Sequence, residues 1–205
     1  SFHWVISSYR VKLTCITKTI MLEEIIVAGF GGQGVLSMGM TLAYAGMIEA
    51  KVISWMPSYG PEMRGGTANC ITIVADEPIS SPILSTFDTV IVLNQPSMDK
   101  FASRVKPGGL LLYDSSNILQ PSQRADIEIM GIPATNEALR RKQPKTLNMI
   151  LLGAYLSRKP VVSDASVIKA LEKVLPEKYH HLLPSNEEAL HWGKHLMQEL
   201  QLQIS

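Results

Sequence analysis

A glycine-rich turn is the first stretch of this sequence whose residue types and spacing could do chemistry. The letters GFGGQG at residues 29–34 match the pattern G-x-G-x-x-G, between a strand-like run and an uncharged helical stretch. Glycines allow positive φ angles and close approach of a ligand, and the free N–H groups at a helix start favour an anion. A tight turn that packs the helix on a sheet is the structural alternative. The candidates for contact with a nucleotide phosphate or a partner are Gly31, Gly32, Gln33 and Gly34.

A dinucleotide site also needs an acidic residue at the end of the second strand, where it binds the ribose. The predicted second strand, Lys51 to Trp55, ends in Ile-Ser-Trp, and Glu49 lies before it, at the wrong end. The sequence therefore predicts an incomplete dinucleotide site. A free-standing nucleotide-binding α/β protein is the alternative function that this turn leaves open.

The loop at residues 56–66 is the second candidate, because it follows the second strand toward the crevice of an α/β sheet. Tyr59 can stack on a ligand or partner, and Arg64 can bind an anion through two parallel hydrogen bonds. An ordinary long loop, with Glu62 and Arg64 paired in solvent, is the alternative. Long loops of this composition are more often functional than not. The predicted cofactor-binding or interface residues here are Ser58, Tyr59, Glu62 and Arg64.

No catalytic or metal-binding residue is predicted. His191 and His195 have the i, i+4 spacing of a two-histidine metal site, but they fall on the predicted solvated face of the last helix without a third ligand. Cys70 lies in an apolar strand and is predicted to be a core residue rather than a nucleophile. Residues 22–179 contain no histidine, so a Ser-His-Asp arrangement has no support.

The elements that must position these candidates alternate between strands and helices. This pattern predicts a three-layer α/β/α fold with a largely parallel or mixed central sheet and a helical C-terminal third. The predicted strands are residues 23–29, 51–55, 67–75, 88–94, 110–113 and 126–132. The predicted helices are residues 35–49, 95–105, 133–142, 146–157 and 164–175, followed by a last helix that ends near residue 200. Ser185 and Glu188 match a capping box at the start of that last helix.

The composition fits a single domain, predicted at residues 21–205. The chain has 19 basic and 18 acidic residues, whereas a typical domain of this length carries about 50 charged residues in total. A chain so short of charge is predicted to hide surface against a partner. The net charge of +1 calls for neither nucleic acid nor an anionic membrane. The two separate cysteines exclude a cysteine-ligated iron–sulfur cluster built by this chain alone.

Two segments could be mistaken for membrane or targeting sequences. Residues 25–48 are uncharged over 24 positions, enough to span a bilayer, but their six glycines favour a strand, a turn and a helix. Residues 1–20 are basic, but they lack the unbroken apolar core and the cleavage site of a signal peptide. We interpret residues 1–20 as a leader from an upstream start site or from cloning, with a genuine N-terminal arm as the alternative. The protein is expected to be cytoplasmic.

Two long motifs resemble one known family. GFGGQGVLSMGMTLAYAG (29–46) and PSYGPEMRGGTANCITI (57–73) are similar to the gamma subunit of 2-oxoacid:ferredoxin oxidoreductases, of the 2-oxoglutarate or branched-chain 2-oxoacid type. The resemblance continues through residues 77–82, 88–91, 94–97, 145–149 and 152–154, and it covers residues 22–195. The beta subunit of indolepyruvate oxidoreductases has a similar glycine turn, but the letters SYGPE at residues 58–62 favour the gamma subunit.

The resemblance implies a role in a complex and no activity for the chain alone. Such complexes convert a 2-oxoacid, coenzyme A and oxidised ferredoxin into acyl-CoA, CO2 and reduced ferredoxin. Thiamine diphosphate is expected between the alpha and beta subunits, and Mg2+ and iron–sulfur clusters are expected on partner subunits, which in some complexes include a delta subunit. This chain is expected to bind no cofactor alone, to supply structure and interface beside the thiamine site, and to help shape access for coenzyme A.

The densest basic run, Arg140-Arg141-Lys142 with Lys145, has two interpretations. Within such a complex it could bind the phosphates of coenzyme A or an acidic ferredoxin. The interpretation we favour is a set of cations at a helix C-terminus, where the helix dipole stabilises them.

Overall fold

The computed structural model of the protein describes residues 20–58 and 67–204. Its strands are β1 (Leu22–Phe30), β2 (Val52–Ser58), β3 (Thr67–Ala75), β4 (Phe87–Val92), β5 (Val105–Asp114) and β6 (Glu128–Ile132). Its helices are α1 (Val35–Ile48), α2 (Gln95–Phe101), α3 (Ala134–Arg140), α4 (Leu147–Arg158), α5 (Asp164–Val174) and α6 (Leu183–Ile204). Short 3-10 turns at Ala102–Arg104, Pro144–Thr146 and Glu177–Leu182 complete the regular elements.

The six strands form one mixed sheet in the order β2-β3-β1-β4-β5-β6. β1, β4, β5 and β6 run parallel to one another, and β3 is antiparallel to both β1 and β2. The carboxyl ends of the five other strands therefore meet at one edge of the sheet, together with the amino end of β3. We call this the carboxyl edge and the opposite one the amino edge. At the carboxyl edge Phe30 pairs with Thr67, and Ser58 pairs with Asn69.

Apolar side chains pack on both faces of this sheet. Along β1, Ile25 and Val27 belong to the core shared with α1 and α3 to α6, and Ile26 and Ala28 belong to the core shared with α2. Among the described residues, five helices thus cover one face and a single short helix covers the other. The predicted α/β/α fold, its mixed sheet and its helical C-terminal third are confirmed.

Small residues let α1 approach the sheet closely. A Cβ on Gly39 would lie 2.4 Å from Cys70 Sγ, and a Cβ on Gly46 would lie 2.4 Å from Ile53 Cδ1. Any larger side chain at either position would push the helix away from β2 and β3. The middle and the end of α1 therefore pack closely against β2 and β3.

The predicted extent of β2, Lys51 to Trp55, is wrong. The strand continues through Met56, Pro57 and Ser58, which sequence analysis assigned to the following loop. Proline lacks the N–H that a strand interior needs, but β2 is an edge strand with one neighbour, where that loss is tolerated. The correction makes Ser58 the last residue of a strand rather than part of a loop.

The boundary between α2 and β5 also differs from the prediction. The helix ends at Phe101 instead of residue 105, and β5 begins at Val105 instead of Leu110. Val105 pairs with Phe87, and a register shift between Phe87 and Thr89 accommodates residues 106–109 within β5. The remaining predicted elements are present, with ends displaced by one or two residues and with α6 reaching residue 204.

The predicted capping box at the start of α6 is wrong. The helix begins at Leu183, and Ser185 lies inside its first turn, where its Oγ donates a hydrogen bond to the carbonyl oxygen of Leu182. The 3-10 turn at residues 177–182 leads directly into α6, so no extended residue is available to act as an N-cap.

Two predictions lie outside the described residues. The interpretation of residues 1–20 as a leader concerns a segment of which only Ile20 is described. The predicted roles of Tyr59, Glu62 and Arg64 concern residues 59–66, which are not described. No helix in the described part of the chain is long and apolar enough to cross a membrane.

Candidate functional site

The glycine turn lies at the carboxyl edge, between β1 and α1. Gly32 has a φ of 91°, and Gly34, the residue that precedes α1, has a φ of 77°. Both angles fall in the left-handed region that glycine adopts without strain. No side chain caps the start of α1, so the N–H groups of its first turn are available to an anion.

The side chain of Gln33 crosses the space between β1 and β4. Its Oε1 accepts a hydrogen bond from the N–H of Phe30 at 2.6 Å, and its Nε2 donates one to the carbonyl oxygen of Leu93 at 3.3 Å. Gly29 makes room for this amide, because a Cβ there would lie 2.7 Å from Gln33 Oε1. Sequence analysis named Gln33 as a candidate but could not assign it this bridging contact.

Gln33 occupies the place where α/β sheets of this kind bind dinucleotides. β1 leads into α1 on one face of the sheet and β4 leads into α2 on the other, so the crevice between these two neighbouring strands is the topological switch point. Because the Gln33 amide bonds to both Phe30 and Leu93, the turn is packed against β1 and β4 and closes the crevice between them. The arrangement favours the tight-turn interpretation for residues 29–33.

Asn148 fixes the far side of the turn. Its Nδ2 donates a hydrogen bond to the carbonyl oxygen of Gly34 at 3.3 Å, across 114 residues of sequence. A Cβ on Gly34 would lie 2.5 Å from that same nitrogen, so a glycine is required for this contact as well as for the backbone angle. Asn148 is 6% exposed. The sequence motif that contains it, residues 145–149, thus meets the glycine turn in space.

A cavity of about 500 Å³ opens beside this contact, on the face of the sheet that α1 covers. It is bounded by the start of α1, the start of α4, the end of α5 and the start of α6. Its lining includes Gly34, Ser37, Asn148, Leu171, Tyr179 and Asn186. Sequence analysis did not find this cavity, because its walls come from four separate parts of the chain.

The structure divides the basic run into two pairs. Arg140, in the last turn of α3, pairs with Glu137, and Arg141 pairs with Glu188 at 2.6 Å while stacking 4.0 Å from the ring of Trp192. Lys142 and Lys145 instead line the cavity. Arg140 and Arg141 lie at the C-terminal end of α3 and Lys142 follows directly, as the favoured interpretation of cations at a helix end expects. Lys145 lies in the 3-10 turn that follows.

The second candidate loop is described only at its ends. Ser58 is exposed at the end of β2, and Thr67 begins β3 opposite Phe30. Both ends therefore lie at the carboxyl edge, beside the glycine turn. The predicted roles of Tyr59, Glu62 and Arg64 concern residues outside the described part of the chain.

The remaining candidates behave as structural residues. Cys70 is buried with its Sγ 3.5 Å from the carbonyl oxygen of Val35, and burial raises the pKa of its thiol to about 12, which removes the thiolate needed for nucleophilic attack. His191 and His195 are exposed on α6, as predicted. Within residues 20–58 and 67–204 no three potential metal ligands cluster together.

The amino edge has a contrasting chemistry, with charges that pair inside the chain. Lys106 Nζ lies 2.8 Å from Asp88 and also binds Glu24. Buried Glu23 accepts a 2.6 Å hydrogen bond from Thr89 Oγ1 and lies 3.5 Å from Lys159 Nζ. This network ties four elements together at the end of the sheet that is distant from the glycine turn.

The fold and the closed turn define an α/β domain built on a mixed six-stranded sheet. The family model for pyruvate ferredoxin/flavodoxin oxidoreductase matches residues 24–195. Because this match covers most of the chain, the protein belongs to that family.

Two curated relatives illustrate the family. The ketoisovalerate oxidoreductase subunit VorA of Methanothermobacter thermautotrophicus is 44% identical over 131 residues, which are 64% of this chain and 27% of the relative. The 2-oxoglutarate synthase subunit KorC of Methanocaldococcus jannaschii is 33% identical over 160 residues, 77% of this chain and 86% of the relative. The chain thus spans about a quarter of the first relative and most of the second.

Two solved structures share the fold. The gamma subunit of the keto/oxoacid ferredoxin oxidoreductase from Geobacter sulfurreducens matches with a TM-score of 0.75 and 28% identity, over 87% of this chain and 98% of that one. The 2-oxoglutarate:ferredoxin oxidoreductase from Magnetococcus marinus, solved with 2-oxoglutarate, coenzyme A and succinyl-CoA, matches with a TM-score of 0.79 and 25% identity, over 87% and 31%.

Proposed function

We propose that this chain is the gamma-type subunit of a thiamine-diphosphate-dependent 2-oxoacid:ferredoxin oxidoreductase. The complex converts a 2-oxoacid, coenzyme A and oxidised ferredoxin into acyl-CoA, CO2 and reduced ferredoxin. One observation carries the proposal: 87% of this chain matches a separate gamma subunit from Geobacter sulfurreducens and covers 98% of that subunit. The cytoplasm is the proposed location of the complex.

The chain supplies structure and interface, and the partner subunits supply the cofactor chemistry. Thiamine diphosphate, Mg2+ and iron–sulfur clusters are assigned to alpha and beta subunits, with a delta subunit in some complexes. Support comes from the described residues: Cys70 is a buried thiol at the core of the domain, and the exposed histidines of α6 have no third ligand nearby. This subunit is accordingly inactive when isolated.

The carboxyl edge is the side of the domain that meets the partners. Its glycine turn carries exposed, uncharged backbone at Gly31 and Gly32, and uncharged surfaces are typical of the centre of protein interfaces. Ser58 and the adjoining residues Tyr59, Glu62 and Arg64 belong to the same proposed interface. Arg64 and Tyr59 are the residue types that most often anchor such contacts.

The 2-oxoacid is chosen within the thiamine site of the partners, so this chain does not specify it. Its relatives are named for ketoisovalerate, 2-oxoglutarate and pyruvate. We propose 2-oxoglutarate or a branched-chain 2-oxoacid as the substrate, because the more similar relatives carry those two names.

The proposal is tested by anaerobic purification of the C-terminally tagged chain from its native host. We expect thiamine-binding subunits to co-purify, and the eluate to reduce viologen only when both a 2-oxoacid and coenzyme A are present. Comparing ketoisovalerate, 2-oxoglutarate and pyruvate in that eluate identifies the substrate. Recovery of the chain alone after gentle washing would contradict the proposal.

A matched pair of variants locates the interface. Gly31→Arg places a bulky cation on the exposed glycine turn, and we expect it to lower recovery of the partners at least tenfold. Glu77→Lys makes a comparable change of charge on the exposed loop of the amino edge, and we expect recovery to stay unchanged. Equal losses of partner recovery in both variants would contradict the assignment of the interface to the carboxyl edge.

A further inference from the structure

The outer side of β2, with the neighbouring side of α1, forms an apolar strip on the surface of the domain. Three large side chains of α1 are exposed there, Tyr44, Met47 and Ile48, and Met47 is 60% exposed. A groove of about 520 Å³ runs between the helix and the strand, lined by Met40, Ala43, Tyr44, Met47, Ile53 and Trp55. A contiguous apolar surface of this kind is typical of a place where another protein surface packs.

The backbone of β2 is also in position to pair on its outer side. Within the described part of the chain its one neighbouring strand is β3. Successive residues of a strand direct their N–H and C=O groups to opposite sides. Proline is tolerated in an edge strand where its missing N–H would face outward, so we place the backbone groups of Ile53, Trp55 and Pro57 on the outer side. The N–H groups of Ile53 and Trp55 can therefore pair with a further strand.

No charge interrupts the apolar strip. The fourteen residues of α1 and the seven residues of β2 contain no Asp, Glu, Lys or Arg. The charged residues between these elements bind inside the chain, Glu49 to the N–H of Ser163 and Lys51 to Asp76. A surface that packs here must be uncharged as well, because an opposing charge would be buried without a partner. The same strip on a second copy of this chain meets that requirement.

We propose that two copies of this chain associate through the apolar strip, about a two-fold axis at Ser54. The two β2 strands then pair antiparallel, and the two six-stranded sheets become continuous. Ile53 of each copy exchanges backbone hydrogen bonds with Trp55 of the other. An axis at Trp55 would instead place Pro57 opposite Ile53, where proline has no N–H to donate. The proline therefore selects the register.

The same axis lies level with the exposed side of α1. A Cβ on Gly46 would contact Ile53, and a Cβ on Gly39 would lie 3.2 Å from Trp55 Nε1, so the helix runs past the strand in the opposite direction. The rise is about 1.5 Å per residue in a helix and about 3.3 Å in a strand. Tyr44 is therefore level with Ser54, and the two copies of Tyr44 meet near the axis.

The methionines of the strip complement each other across this axis. Met47 lies about 5 Å from the level of Tyr44 toward the amino edge, and Met40 lies about 6 Å from it toward the carboxyl edge. The exposed Met47 of one copy therefore enters the groove of the other beside Met40, and the reverse contact forms at the same time. One surface supplies both the protruding side chain and the groove, as a two-fold interface requires.

The size of the strip sets the expected strength of the dimer. Its length is about 21 Å, that of a fourteen-residue helix. Its breadth is about 20 Å, the sum of one helix diameter and one sheet layer. The resulting area of about 400 Å² per copy is half of what a stable interface of standard size buries on each partner, about 800 Å². We therefore expect a weak dimer, with a dissociation constant on the order of 10⁻⁵ M.

Sedimentation velocity of the full chain, from about 1 to about 200 μM, tests the proposal. We expect the average mass to rise from that of a monomer toward that of a dimer over this range. Met47→Glu places a carboxylate in the groove and should weaken the association at least tenfold. Ile83→Glu, at an exposed residue beyond β3, is the matched control and should change nothing. Thermal unfolding of each variant separates a loss of association from a loss of folding.

Cysteines placed along β2 test the register. At the proposed axis the two copies of Ser54 oppose each other directly, with Cα atoms about 4.5 Å apart, which is within the range of a disulfide. In a Cys15→Ser background, mild oxidation should therefore link Ser54→Cys into a covalent dimer. The two copies of Ser58 lie about 26 Å apart in this arrangement, so Ser58→Cys is the matched control and should stay unlinked.

Three results would overturn the proposal directly. These are a chain that stays monomeric up to about 200 μM, an association that Met47→Glu leaves intact, and equal linkage of Ser54→Cys and Ser58→Cys.

Hydrogen exchange of the amides of Ile53 and Trp55 identifies a different occupant of the strip. Slow exchange in a chain that stays monomeric would assign the strip to another segment of the same chain. Exchange that becomes slow only in the purified complex would assign it to a partner subunit. Either outcome overturns the dimer. Co-purification of the partners is measured separately, so the proposed function stands when this inference fails.

Discussion

The two edges of the sheet differ in how their charged side chains are paired. At the amino edge, carboxylates and lysines pair with each other, as Lys106 does with Asp88 and Glu24, and Glu23 does with Lys159. At the carboxyl edge, Lys142 and Lys145 are exposed and form no ion pair with a described residue. Among the described residues, this charge network of the amino edge is paired within the chain, whereas Lys142 and Lys145 are not.

This difference separates residues that stabilise the fold from residues that are available to bind other molecules. A paired, partly buried charge network holds its own chain together and offers little to a ligand. Exposed cations beside a cavity contribute little to folding and remain available to a ligand or partner. The comparison predicts that substitutions at the amino edge act on stability, and that most at the carboxyl edge act on binding or assembly.

The largest expected effect is a loss of stability on substitution of Gly34. This residue lies at the carboxyl edge, where most other substitutions are expected to act on binding or assembly. Gly34→Ala forces a left-handed angle on an alanine and brings its Cβ within 2.5 Å of Asn148, so we expect a loss of about 3 kcal/mol in the free energy of unfolding. Gly32→Ala has the same backbone strain with no atom within 4 Å of the new Cβ, and should lose only about 1 kcal/mol. Urea unfolding of both variants measures the difference, and equal losses would contradict the Asn148 contact.

The next effect belongs to the amino edge. Glu23→Ala leaves the buried hydroxyl of Thr89 without its acceptor and Lys159 without its partner, so we expect a loss of about 2 kcal/mol in stability. Recovery of partner subunits should not change. The exposed residue Glu77 gives the control variant Glu77→Ala, expected to stay within about 0.5 kcal/mol of the wild type. Impaired assembly in folded Glu23→Ala would break the comparison between the edges.

Removal of the Gln33 amide tests whether the turn is closed. Gln33→Ala loses the two hydrogen bonds that join β1 to β4, and we expect a loss of about 1 kcal/mol in the free energy of unfolding. Gln198→Ala, at an exposed position of α6, is the control and should be neutral. Neither variant should bind NAD in a fluorescence titration, and a gain of binding by Gln33→Ala would revive the free-standing nucleotide-binding alternative.

The smallest effect is a pH dependence at the amino edge. Burial lowers the pKa of Lys106, but hydrogen bonds from its ammonium to Asp88 and Glu24 outweigh that effect, so the net pKa is raised. Its contribution to stability is therefore present below the pKa of the unfolded chain, about 10.4, and is lost as the pH rises through the higher folded value. Urea unfolding from pH 9 to 11.5 should show a steeper loss for the wild type than for Lys106→Met. Parallel pH dependences of stability in the two proteins would contradict a stabilising role of the Lys106 ion pairs.

Much of the fold could be predicted from local sequence patterns. The apolar runs of β1, β3 and β4, the glycine turn and the small residues of α1 all carry their own periodicity or spacing, and each appears in the structure where the sequence placed it. The errors lie where local signals are overridden. Pro57 stays in a strand because β2 is at the edge, and Ser185 fails as a cap because a 3-10 turn runs into α6.

The candidate site could be predicted only in part, for a physical reason. The glycine turn is a local motif, so its position was clear from the letters alone. Its closure depends on Leu93, its fixed far side depends on Asn148, and the cavity depends on side chains from α1, α4, α5 and α6. Contacts between residues so far apart in the chain produce no local pattern that a single sequence could show. For the same reason, the sequence does not distinguish Lys142 and Lys145, which line the cavity, from Arg140 and Arg141 in the same basic run.

Hydrogen exchange of the chain, alone and within its purified complex, tests the central claim most directly. The account predicts that assembly slows exchange of backbone amides at residues 30–37 and 142–148, at the carboxyl edge, and leaves the amino-edge loop at residues 77–84 unchanged. Slower exchange confined to residues 77–84, or no difference between the two samples, would contradict the claim that this chain is completed by other molecules at its carboxyl edge.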